Sequence, residues 1–151
     1  MKLSTRGRYG VMAMADLASQ TGSGAVSLAE IAERQMISPA YLEQLFVRLR
    51  RQGLVESARG PGGGFRLARP ADDIRIADII EAVEEPTTIT RCETGSETGC
   101  VGGARCLTHD LWEGLGQHIH DYLASVSLAD VLQKRLPARI PNPGRPAELT
   151  H

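Results

Sequence analysis

The sequence predicts a mainly α-helical fold with one small β-hairpin, and three observations predict it. Apolar residues recur at three- and four-residue spacing in five separate stretches, the period of an amphipathic helix. Two short runs of strand character, "LVESA" at 54–58 and "FRLA" at 65–68, flank a glycine-rich turn at 60–64. That hairpin follows directly on two short helices joined by a tight turn, the order of a helix-turn-helix with a wing.

The first helix is read in "STRGRYGVMAMADLASQ", with Ser4 as its N-cap and Tyr9, Met12, Ala13 and Leu17 turned to the core. Arg6 and Arg8 fall in its first turn, where cations oppose the helix dipole. Contact with phosphate accounts for that local cost, although ordinary surface arginines look the same. Two helices follow in "SLAEIAERQMISPAYLEQLFVRLRRQGLV". Ser27 and Glu30 have the spacing of a capping box, and Leu28, Ile31 and Ala32 form the apolar face. After a turn at 34–37, Ser38 is a good N-cap and Pro39 suits the first helical position. Leu42, Leu45, Phe46 and Leu49 then recur at helical spacing until Gly53.

That pattern leaves Ala40, Tyr41, Glu43, Gln44, Val47 and Arg48 for solvent or a partner. In a helix-turn-helix the second helix presents its early turns to base edges, where Gln44 suits adenine and Glu43 suits cytosine N4. An ordinary helical hairpin with a solvated face is the alternative, and the hairpin that follows decides against it. Arg59 at the wing tip suits a narrow minor groove, and Gly60 lets backbone approach a phosphate. A nucleotide-binding loop is excluded, because no Gly-Lys-Ser/Thr follows and the next segment is strand.

Past the wing, "DDIRIADIIEAVEE" is a short helix with Ile76, Ile79, Ile80 and Val83 as its buried stripe, stopped by Pro86. Further on, "CLTHDLWEGLGQHIHDYLASVSLADVLQ" reads as one long helix with Leu107, Leu111, Leu115, Ile119, Tyr122, Leu123 and Val126 on one side. Packing against the same helix of a second subunit buries that stripe, which predicts a homodimer on a palindromic double-stranded operator. The tail "PARIPNPGRPAELTH" has four prolines in fifteen residues and is expected to be disordered.

Composition is consistent with a nucleic-acid partner. At 151 residues and 42% apolar content, the chain fills one small core and carries an extension. Residues 1–70 hold ten Lys/Arg against five acids, a balance of +5, while residues 71–151 balance at −6. The basic half invites a polyanion and the acidic half repels one. No apolar run approaches the ~20 residues of a membrane span, and the amino terminus lacks a signal-peptide core. A cytoplasmic protein with reduced thiols and no membrane partner is expected.

All three cysteines, Cys92, Cys100 and Cys106, fall in "RCETGSETGCVGGARCLTHD", a glycine-rich segment with little to contribute to a core. An odd number argues against a disulfide framework and for metal ligands or redox thiols. The spacing is C-x7-C-x5-C, so a fourth ligand comes from elsewhere, and His109 stands at i+3 from Cys106. Zinc sites favour closer cysteine pairs, so an iron–sulfur cluster is favoured over zinc, with a metal-free thiol switch third. Read as an enzyme, Cys106 and His109 would be nucleophile and base. Three thiols beside a winged helix fit ligation better, and no enzyme is expected.

The stretches "MKLSTRGRYG", "SPAYLEQLFVRLRRQGLV", "RGPGGGF", "ADIIEAVEE" and "RCLTHDLW" together make the chain resemble the IscR-type iron–sulfur regulators, within a bacterial family of dimeric winged-helix repressors. The resemblance covers roughly residues 1–135. It implies a homodimer with one [2Fe–2S] cluster per subunit, regulating genes of cluster assembly and of iron or redox homeostasis. The "ETGSETG" gap between Cys92 and Cys100 is longer than the usual spacing of such regulators. A nitric-oxide-sensing branch uses a three-cysteine [4Fe–4S] cluster and an acid from the first helix. Arg8 stands in that region here, with Asp16 and Asp110 as remaining unorthodox ligands. A nitric-oxide or redox-sensing repressor, and a zinc- or thiol-based regulator, are the alternatives.

The expected organisation is a winged helix-turn-helix DNA-binding domain at 1–70 and a linking helix at 71–91. A cluster-binding loop at 92–109, a dimerisation helix region at 106–135 and a disordered tail at 136–151 follow. The expected DNA contacts are Arg6, Arg8, Ser38, Ala40, Tyr41, Glu43, Gln44, Arg48, Arg59 and Gly60, and the expected ligands are Cys92, Cys100, Cys106 and His109.

Overall fold

The computed structural model describes residues 4–20, 22, 24–84 and 104–138. Helix α1 (Thr5–Ser19) is followed by α2 (Leu28–Gln35), α3 (Pro39–Arg51), β1 (Val55–Ala58) and β2 (Gly64–Leu67). A 3-10 turn (Ala71–Asp73), α4 (Ile76–Val83), α5 (His109–Ser125) and α6 (Leu128–Leu132) complete the order.

The helix-turn-helix forms as its caps dictate. Ser27 and Glu30 make the reciprocal capping box at the start of α2, and Ser38 caps α3 with Pro39 in its first turn. Between them Met36 ends α2 in the left-handed region at φ 55°, a conformation costing about 1–2 kcal/mol outside glycine. The four apolar residues expected to face inward from α3, Leu42, Leu45, Phe46 and Leu49, are all buried. On α1, Ala13 and Leu17 are buried as expected. Tyr9 and Met12 are only partly so, and Met14 takes a fully buried place.

The wing is an antiparallel pair in the register Val55↔Leu67 to Ala58↔Gly64. It gains a third strand position that no local sequence pattern announces: Val26 exchanges two backbone hydrogen bonds with Phe65, of 2.8 and 2.7 Å. A Cβ on Gly64 would sit 2.3 Å from the Val26 carbonyl oxygen. Gly64 is therefore set by strand packing and not by any phosphate. Phe65 meets Phe46 edge-on at 4.9 Å between ring centres, which fastens the wing to α3.

One core runs from α1 through α4 and takes in Val126 and Leu128. Helices α1 and α4 approach closely at Gly10, where a Cβ would lie 3.1 Å from the buried Val83 side chain. Gly10→Ala is expected to destabilise the fold by about 1 kcal/mol. Overpacking against an immobile β-branched residue costs about 1–3 kcal/mol and outweighs the ~1 kcal/mol gained in helix propensity. A denaturation midpoint equal to or above wild type would refute this.

Asp16, buried on α1, accepts two hydrogen bonds from the Arg34 Nε and Nη2 groups at 3.0 and 2.7 Å, and one from Gln35 at 2.8 Å. Burial alone would raise its pKa. The hydrogen bonds and the charge of Arg34 outweigh burial and hold the carboxyl below its usual value. Asp16 thus ties α1 to α2.

The single long helix expected after the cysteines is broken in two. Chain extends at Val126, whose carbonyl accepts the Ile76 N–H at 3.0 Å, and Leu128 N–H returns to the Ile74 carbonyl at 2.8 Å. Ser127 and Asp130 then form a capping box that starts α6, which packs back on α1. The break has a signal in "SLAD", which has the same capping spacing as "SLAE" at 27–30.

Candidate nucleic-acid interface and metal-ligating turn

The exposed face of α3 carries Ala40, Glu43, Gln44 and Val47, spaced three and four apart and so aligned along one side. Arg59 and Gly60 are exposed at the wing, and Arg6 and Arg8 at the start of α1. These residues are all open to solvent.

Three further expected contacts also touch other parts of the chain. Ser38 is exposed, but its hydroxyl accepts the Tyr41 N–H at 3.4 Å as the α3 cap. Tyr41 is half-buried and meets Tyr9 edge-on at 5.8 Å. Arg48 is half-buried, and its Nη1 donates to the Val83 carbonyl at 3.2 Å, holding α3 against α4. The sequence pattern showed these residues off the main apolar stripe. It did not show the neighbours that partly cover Tyr41 and Arg48.

Of the expected metal ligands, Cys92 and Cys100 lie outside the described residues, as do residues 139–151 of the expected disordered tail. Cys106 and His109 are brought together. Helix α5 begins at His109, so the pair spans the turn that precedes it, with the His109 N–H donating to the Cys106 carbonyl at 3.1 Å. His109 is only 4% exposed, while Cys106 is half-buried. Thr108 Oγ1 lies 3.6 Å from Cys106 Sγ and accepts from the Trp112 indole at 3.2 Å. A sulfur donor and an imidazole therefore share one anchored turn.

Carboxylates crowd the same turn. His109 Nε2 is 3.9 Å from Glu113 Oε2, and one ligand atom each of His109, Asp110 and Glu113 falls within 4.8 Å of the others. Both acids are exposed, and Asp110 faces Arg105 at 3.8 Å. Thiolate with imidazole suits zinc or an iron–sulfur centre, whereas exposed carboxylates are hard donors suited to other ions. Cys106 and His109 are donors of the kind that zinc and iron–sulfur centres use, with one sulfur among the described residues of this turn. Glu113 was not singled out by sequence, although its i+4 position from His109 was legible. His118 is exposed, and His120 faces Glu81 at 3.4 Å, far along α5.

Along α5, Leu111, Trp112 and Tyr122 are exposed, Leu115 and Ile119 are half-buried, and Leu123 packs on the core, while Leu107 is exposed in the turn before the helix. Part of the expected stripe is thus covered within the chain, where α5 meets α4. Among the described residues, no helix is long and apolar enough to cross a membrane.

Comparison with known proteins agrees with this architecture. The profile of the Rrf2 family, described as iron-dependent transcriptional regulator, matches residues 3–134. The HTH-type transcriptional regulator IscR of Cereibacter sphaeroides is 50% identical over 139 residues, covering 90% of each chain. The solved structure of T. potens IscR superposes with a TM-score of 0.74 at 42% identity, covering 94% of this chain and 93% of that one. CymR, the global cysteine regulator of B. subtilis, gives a TM-score of 0.74 at 35% identity, over 89% of this chain and 98% of its own. The mainly helical fold with a hairpin wing is that of these winged-helix regulators.

Proposed function

The chain belongs to the Rrf2 family of iron-dependent transcriptional regulators, and on that premise we propose that it is a cytoplasmic homodimer, bound to a palindromic operator and controlled by a [2Fe–2S] cluster on each subunit. Cys92, Cys100, Cys106 and His109 would hold the cluster. The observation that carries this proposal is the buried His109 imidazole beside Cys106 on one turn, outside the basic half. When bound, the cluster supplies a redox-active, exchangeable centre whose presence reports iron and sulfide supply.

The rest of the mechanism belongs to the chain's own residues. Gln44 donates and accepts at an adenine edge from the early turns of α3, and Glu43 accepts from a cytosine amine while disfavouring misplaced phosphates. Arg59 enters the minor groove, Gly60 gives backbone access to phosphate, and Arg6 and Arg8 meet the backbone from α1. Residues 1–70 make the DNA contacts, and 71–91 lead to the ligand segment at 92–109. Residues 106–135 supply the subunit interface. Genes of cluster assembly and of iron or redox homeostasis are the regulated class.

A mobility-shift titration over a range of salt tests the DNA contacts. Arg59→Ala is expected to weaken binding to all sequences and to lower the salt slope by about 1 per subunit. Gln44→Ala is expected to alter preference at one base pair by about 1–3 kcal/mol. An unchanged slope together with an unchanged selected sequence would remove α3 and the wing from the interface. Iron and acid-labile sulfide in equal amounts, with visible absorption, are expected in anaerobically purified protein. Zinc or bare thiols in their place would overturn the cluster assignment.

A further inference from the structure

We propose, on the reading above that Arg6 and Arg8 meet phosphate, that Glu84 is a positioning residue which sets the first turn of α1 for DNA contact. Helix α1 opens with two cations and has no acid in its first turn, an arrangement that opposes its own dipole. The counter-charge comes from the far end of α4. Glu84 is 8% exposed, and its Oε1 accepts the Gly7 N–H at 2.9 Å and the Ser4 hydroxyl. Ser4 Oγ accepts the same Gly7 N–H at 3.2 Å. A carboxylate thus completes the N-cap across 77 residues of sequence, and the close approach of α4 at Gly10 brings it there.

The preceding residue does similar work for the recognition helix, because the Val83 carbonyl accepts from Arg48. Two consecutive residues therefore hold α1 and α3, two of the elements that carry proposed DNA contacts. Arg6 and Arg8 remain exposed beside the capped turn. With the cap in place they project from a fixed backbone, and without it the turn frays and takes their positions with it.

Simple electrostatics and positioning predict opposite signs. An acid near a phosphate-binding turn repels DNA, so its removal should strengthen binding if charge alone matters. If Glu84 positions the turn, removal should weaken binding and release phosphates from the two arginines. The test is salt-dependent binding of the full chain to a duplex that the wild-type protein selects from a random pool, at temperatures well below unfolding. Glu84→Gln is expected to reduce affinity on the order of tenfold and to flatten the salt slope by about 0.9 for each phosphate no longer neutralised, so about 1.8 per subunit. Glu84→Asp should recover part of both. Replacing Arg6 and Arg8 by Ala in the Glu84→Gln background should add little, since both arginines have already left their phosphates.

Unchanged or higher affinity with an undiminished slope in Glu84→Gln would overturn the proposal while leaving the phosphate contacts intact. If the arginine pair can be replaced in the wild-type background without effect, the phosphate contacts themselves fall and the proposal with them. Should Glu84→Gln not fold, Ser4→Ala removes an exposed partner of the same carboxylate. It is expected to show the same flattening at smaller size, and an unaltered slope there would count as refutation.

Discussion

Leu111→Lys combined with Tyr122→Glu is expected to convert the protein to a monomer at micromolar concentration. Both side chains point to solvent in the single chain, at 62% and 45% exposure, with Trp112 exposed on the same helix and Leu107 in the turn before it. Fully burying such residues is worth about 1.5–3 kcal/mol each, and two-fold symmetry makes every contact count twice. Charges placed there must be desolvated on association without a designed partner. Because neither residue supports the core, the monomer should keep its helical spectrum and its unfolding midpoint. Losing the second subunit removes the gain of bivalent binding, so operator affinity should fall by about 10²–10⁴. Sedimentation velocity settles it: an intact dimer would move the subunit interface away from α5.

Leu115 and Ile119 are poorer choices for that test, and the reason shows what a sequence reveals. Period and spacing show an apolar stripe along α5, though Leu107 and Val126 fall outside that helix, and a stripe does not say which neighbour covers it. Part of it is covered where α5 meets α4 of the same chain, a contact fixed by tertiary packing. The same distinction runs through the fold. Ser27, Ser38 and Pro39 act within a few residues of themselves, and the caps they announce are all present. Glu84, Val26 and Asp16 act across long stretches of chain, so no local pattern announces them. Ser127 was legible but lay inside a continuous helical period, which hid the capping signal. In the candidate site, Cys106 and His109 were paired by spacing alone. The burial of His109 and the approach of Glu113 come only from the folding of the turn.

His109→Cys is expected to retain iron and sulfide at wild-type stoichiometry while changing the visible spectrum and lowering the reduction potential. Neutral imidazole holds less electron density at the metal than thiolate, and histidine ligation raises cluster potentials. Exchanging it for thiolate adds a negative charge to the centre, so the fall should be on the order of 100 mV or more. The substitution is small and sits at the first residue of α5, where its backbone bond to Cys106 is kept. Glu113 at 3.9 Å and Asp110 then face an anionic ligand where they faced an imidazole, which pushes the potential further in the same direction. A site of four thiolates should also release its centre more slowly to a chelator. The variant should therefore stay in its loaded DNA-binding state under iron limitation, when wild type has emptied. Cys106→Ala provides the opposite limit, with iron falling well below one cluster per chain. If His109→Cys matches wild type in spectrum, potential and release rate under anaerobic conditions, His109 is not a ligand. The fourth donor must then be sought elsewhere, with Asp110 and Glu113 on the same turn as the first two residues to replace.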